Sequence, residues 1–125
     1  MRAGCSGWRL CLLSASAPAL RDILRNIDLA ERFIEGQTFE SLRSDELHLY
    51  AVIRCLEIIS EASRRLSPEL KARHPTITCG DMAGAGNVYR HDYDSIAARR
   101  IWEAVRFALP QLRKVIEQEL AAGAG

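Results

Sequence analysis

Asp45-Glu46-Leu47-His48-Leu49-Tyr50-Ala51-Val52-Ile53-Arg54-Cys55-Leu56-Glu57-Ile58-Ile59-Ser60-Glu61-Ala62 is the stretch that decides the fold. Leu49, Val52, Ile53, Leu56, Ile59 and Ala62 recur three or four residues apart. That is the period of one buried helix face, not of a strand. The pattern predicts a long helix over Asp45–Leu66, capped by Ser44, with Asp45 and Glu46 favourable in its first turn. Arg54, Glu57 and Glu61 fall at i, i+3 and i+7 and form a polar seam on the same helix. Leu56, Ile58 and Ile59 are apolar on more than one side, which calls for a second buried surface. A homodimer supplies one most simply; a helix central to the monomer core supplies the other.

Working outward, Leu20, Ile23, Leu24, Ile27, Ala30 and Ile34 give a second apolar stripe, and Gly36 is its stop. Phe39–Arg43 reads as a turn or short helix. Ser67-Pro68-Glu69 is a fresh N-cap with proline at the first helical position, and Pro75 ends the helix it starts. A weak helix comes next over Gly80–Arg90, burdened by Gly80, Gly84 and Gly86. The last helix covers Ala97–Ala121, lined by Ile101, Val105, Ala108, Leu109, Leu112, Val115 and Ile116. Pro110 is expected to kink it, since proline removes one backbone hydrogen bond. No segment alternates with period two. The fold expected is all-α: an antiparallel four-helix bundle with an additional short helix.

With 125 residues, the chain is expected to be one domain with a single core. Residues 1–17 read as a disordered N-terminal extension that faintly imitates a signal peptide, and 18–122 as the helical domain. A net charge of +1 gives no global attraction to nucleic acid or membrane, so any RNA contact has to be a local patch. Cys5, Cys11, Cys55 and Cys79 contain no C-x-x-C pair, and Cys55 sits in an apolar face. That usage suits a reducing, cytoplasmic compartment. No stretch is long enough to span a bilayer.

Chemistry is concentrated in Gly86-Asn87-Val88-Tyr89-Arg90-His91-Asp92-Tyr93. On a helix Asn87 and His91 share a face, and Arg90 leans over the same groove. Tyr93 joins them where the helix ends near Asp92, and Asp94-Ser95 offers the turn chemistry for that. A histidine near neutral pKa takes a proton from a 2′-hydroxyl, and an arginine stabilises charge growing on the phosphate. Asparagine donates to a phosphate oxygen or holds the histidine's tautomer. No HExxH, P-loop or acidic cluster points to a metal or cofactor site. Arg99, Arg106 and Arg113, seven apart, form a candidate RNA-facing stripe, although such a stripe is more often a solvated face.

These segments together resemble the HepT-like branch of the HEPN superfamily. The carriers are Arg21-Asp22-Ile23-Leu24-Arg25-Asn26-Ile27, Ala51–Ala62, Asp81–Asn87, His91-Asp92-Tyr93, Ile101-Trp102-Glu103 and Leu109-Pro110. The resemblance implies a HEPN-like homodimer and a metal-independent endoribonuclease, the toxin of a type VII toxin–antitoxin system. It implies a minimal nucleotidyltransferase as antitoxin partner, which transfers AMP to the tyrosine matching Tyr93 and silences cleavage. The family motif places an arginine, a polar residue and then His-x-Tyr. Asn87, His91 and Tyr93 match its later members, while Gly86 stands where the arginine is expected. Arg90, one helical turn on, is expected to reach back into the space the glycine leaves. The alternative is a non-catalytic helical dimer that binds a nucleotidyltransferase or nucleotide.

Overall fold

All the elements of the computed structural model are helical, as the spacing of apolar residues requires, and no strand occurs among the described residues. Those residues are 4–74 and 95–123, with side chains described over 16–74 and 98–122. The expected helix at Gly80–Arg90 lies outside them.

Helix α1 runs Gly4–Phe33. Ile23, Ile27 and Ala30 on its inner face are fully enclosed, with Leu20 and Ile34 buried beside them. The helix already includes residues from Gly4 on, within the stretch expected as an extension. The leucines and alanines between Leu10 and Leu20 are strong helix formers. Ser16 and Ala17 are themselves buried, which ties that end to the bundle. Gly36, at φ 76°, takes the left-handed conformation that turns the chain out of α1.

Helix α2, Phe39–Ser44, is a single capped turn and a half. Ser41 N–H donates to Thr38 Oγ1 at 3.1 Å, and Thr38 N–H donates to Ser41 Oγ at 2.9 Å. Helix α3 spans Glu46–Arg64, and its cap is Asp45 rather than Ser44. The reason is that Ser44 still belongs to α2, where its hydroxyl donates to Glu40 C=O at 3.3 Å. Asp45 Oδ1 accepts from His48 N–H at 3.1 Å. Helix α4, Pro68–Arg73, has the expected Ser67 cap and buries Leu70.

The last helix is not continuous. Helix α5 covers Ser95–Glu103, a π-helical turn Ala104–Ala108, and helix α6 Leu109–Gly123. Leu109 N–H donates to Ala104 C=O, five residues back. Pro110 is the cause: its ring would press on the carbonyl four residues earlier, and it offers no N–H of its own. A wider turn directly ahead of it absorbs the misfit, where a simple kink was expected.

Helix α1 packs on α3 and α6, and α2 packs on α3 and α5. Asp22 meets Arg65, just past the end of α3, at 3.2 Å, so α1 and α3 run antiparallel. Arg113, early in α6, meets Asp28 near the end of α1 at 2.6 Å. Glu119, late in α6, meets α4, which follows the far end of α3. Helix α6 therefore also runs against α1. Leu56, Ile59, Val52, Ile101, Val105, Leu109 and Ile116 fill the space between, all with 1% exposure or less. Cys55 is a buried free thiol whose pKa is pushed up by burial. No described helix is long and apolar enough to cross a membrane.

Candidate functional site

Asn87, Arg90, His91 and Tyr93, together with Gly86, lie outside the described residues. The frame that carries them is described on both sides. Its incoming side is His74, the C-cap of α4, and its outgoing side is Ser95, the first residue of α5.

The incoming side is clamped. Glu119 on α6 is only 8% exposed. Arg73 donates to it through Nε at 3.0 Å and through a terminal nitrogen at 2.8 Å. His74 Nε2 lies 2.7 Å from the same carboxylate. The Arg73 hydrogen bonds hold the Glu119 carboxyl below its ordinary 4.5, against burial, and His74 adds to the effect. The same pairing raises the Arg73 guanidinium. Spacing could not have found this cluster, because its members are 45 and 46 residues apart.

The outgoing side is fixed by packing. Ala98 and Ile101 of α5 are buried. Arg99 lies over the ring of Phe39, its guanidinium carbon 4.3 Å from the ring centroid. Phe39 comes from α2, so this stack joins two elements. Chain length bounds what Ser95 can hold: at ~3.6 Å per residue, His91 is within about 14 Å of it and Tyr93 within about 7 Å.

The arginine stripe does not survive as one face. A π-helical turn accommodates an extra residue, which rotates the downstream helix by about 100° relative to a straight one. Arg106 lies over Trp102 of its own helical run at 5.5 Å. Arg113 is turned toward α1, where Asp28 and Glu31 both accept from it. Burial works against its charge, but those two carboxylates outweigh it and raise its pKa. Arg113 is thus a structural residue, while Arg99 and Arg106 stay exposed.

Several residues that carried the sequence resemblance prove to be structural. Asn26 is buried and donates to Asp22 C=O at 2.8 Å within its own helix. Asp22 holds Arg65. Arg54 and Glu57 of the polar seam are 3.8 Å apart. His48, outside those segments, has its Nδ1 2.7 Å from Oδ2 of the Asp45 cap.

A model of the family described as Ribonuclease HepT-like matches residues 23–119. The chain belongs to the HepT-like ribonuclease family. The match takes in the whole described bundle from Ile23 to the Glu119 clamp, and Gly86–Tyr93 as well. A protein of Thermococcus cleftensis named probable ribonuclease HepT is 35% identical over 79% of this chain and 90% of its own length. A protein of Caldanaerobacter subterraneus subsp. tengcongensis, named as a candidate RNase, is 30% identical over 82% of this chain and 92% of its own. A further candidate RNase, from Methanocaldococcus jannaschii, is 28% identical over 79% of this chain and 82% of its own. No solved structure matches the chain significantly. The helical bundle is accordingly a HepT-like, HEPN-type frame.

Proposed function

We propose that this HepT-like chain is a metal-independent endoribonuclease, acting in the cytoplasm as the toxin of a type VII toxin–antitoxin pair. The observation that carries the reading is the family match, which spans the helical frame together with Asn87, Arg90, His91 and Tyr93. In the proposed reaction His91 takes the proton of a 2′-hydroxyl. The freed oxygen attacks the adjacent phosphorus, the bond to the 5′-oxygen breaks, and that oxygen is protonated by the histidinium or by water. The products are a 2′,3′-cyclic phosphate and a 5′-hydroxyl. Arg90 stabilises charge on the phosphoryl oxygens in place of the family arginine, whose position Gly86 occupies. Asn87 orients the phosphate. Arg99 and Arg106 supply exposed positive charge for the RNA strand.

Silencing follows from charge. A nucleotidyltransferase antitoxin that places AMP on Tyr93 puts a phosphate two residues from the base, where it repels RNA. A homodimer is part of the proposal. Leu47 and Phe107 are 77% and 64% exposed, which leaves apolar surface for a second copy. The alternative, a non-catalytic dimer that binds a nucleotidyltransferase or nucleotide, is favoured by Gly86 alone.

The test is growth of cells expressing wild type, His91→Ala, Arg90→Ala or Tyr93→Phe, with and without a nucleotidyltransferase from a HepT-like gene pair. The expected result is toxicity from wild type and Tyr93→Phe only. The antitoxin should relieve the first and not the second, and wild type should gain the mass of one AMP while Tyr93→Phe should not. Harmless wild-type expression with tight complex formation would favour the binding module.

A further inference from the structure

Among the described arginines, most of those in contact with another group are committed to carboxylates. Arg43, Arg54, Arg65, Arg73 and Arg113 each meet at least one. Arg99 differs. It is exposed, has no carboxylate partner among the described residues, and is held by the Phe39 ring. Both sides of the stack are anchored to the core. Leu42 fixes α2 and the Thr38 cap fixes its first turn, next to Phe39. Ala98 and Ile101 fix α5 on either side of Arg99.

Stacking has a chemical consequence. A guanidinium lying on an aromatic face spends its face on the ring and keeps its in-plane N–H donors at the rim. Those donors form the fork that matches two phosphate oxygens. The side chain is also preordered, so less rotamer entropy is lost when it binds. Arg106 has a weaker claim, since its ring is more distant and comes from its own helical run.

Position completes the argument. Arg99 is one helical turn from Ser95, about 6 Å along the axis, whereas Arg106 is about 16 Å along. Because His91 is within about 14 Å of Ser95, chain length keeps Arg99 within about 20 Å of it, a span of about three nucleotides. We propose that Arg99 stacked on Phe39 forms a phosphate-binding subsite for single-stranded RNA, flanking the nucleotide on which His91 acts. This inference rests on the proposed ribonuclease activity.

The experiment uses the full-length His91→Ala protein, which leaves RNA intact, and a short fluorescein-labelled RNA of mixed sequence. Fluorescence anisotropy is read across a range of potassium chloride concentrations. Adding Arg99→Ala should weaken binding about five- to tenfold and lower the salt slope by about 0.7, the value for one phosphate contact on a single strand. Phe39→Leu should weaken binding while leaving the slope unchanged. Arg99→Lys should keep the slope and recover only part of the affinity, because an ammonium does not stack as a guanidinium does. Arg64→Ala, an exposed arginine at the opposite end of α3, should change neither.

In the His91 wild-type background, Arg99→Ala should raise KM and leave kcat within about twofold, because it removes binding made equally in ground and transition states. Unchanged affinity and slope in Arg99→Ala would overturn the subsite while the ribonuclease reading stands. An equal loss in Arg64→Ala would do the same, by showing diffuse charge instead of a built contact. A wild type that neither binds nor cuts RNA would take both proposals down together.

Discussion

Glu119 shows what a single residue contributes to this frame. Its carboxylate is nearly enclosed, yet it accepts from Arg73 twice and meets His74 as well, so the cost of burial is offset by charged partners. Its pKa is lowered from 4.5, and the sign follows. A carboxyl that is more acidic when folded stabilises the fold fully above its unfolded value. That contribution is lost as pH falls through the folded value. Stability should therefore drop below pH 4.5, and Glu119→Gln should flatten this limb. At neutral pH the same substitution should cost about 1.5–3 kcal/mol, the range for hydrogen bonds to charged groups. Urea unfolding of both proteins across pH checks both statements. None of this was legible in the sequence, where Glu119 is one more charged residue on a helix and His74 sits blandly beside a turn proline.

Among the elements, the broken final helix is the instructive one. Its apolar face was read correctly through Ile101, Val105, Leu109, Leu112 and Ile116, all buried. What spacing missed was the extra residue in the turn at Ala104–Ala108. That residue is what takes Arg113 off the line of Arg99. A periodic stripe of like charges is drawn on an ideal cylinder, and a proline is a reason to expect the cylinder to change. Phe107, 64% exposed inside the turn, is the natural residue to remove. Deleting Phe107 alone should force a regular helix against the Pro110 ring and destabilise by about 3 kcal/mol. Deleting it together with Pro110→Ala should restore most of that loss while α5 and α6 keep their register to the core. Denaturant midpoints of the two deletion variants decide the matter.

At the scale of the whole molecule, the all-α class was legible because the buried faces of α1 and α3 repeat without interruption. Leu49, Val52, Ile53, Leu56, Ile59 and Ala62 are all buried, as their spacing requires. The start of α1 was not, since Leu10–Ala17 resembles a leader in composition but lies within that helix. The chemical segment was legible in a different sense. Its residue types suggested phosphate chemistry, and family membership connects it to ribonucleases. The described frame contributes two fixed attachment points, the Glu119 clamp before the segment and the Arg99–Phe39 stack after it. In the proposed mechanism Arg90 takes the role of the arginine whose place Gly86 holds. The most direct measurement is RNA cleavage by the purified full-length protein in excess EDTA, beside His91→Ala prepared identically. The account predicts cleavage by wild type, with 2′,3′-cyclic phosphate ends, and a loss of about 10²–10⁴-fold in His91→Ala. Equal cleavage by the two proteins, or none by either, would contradict it.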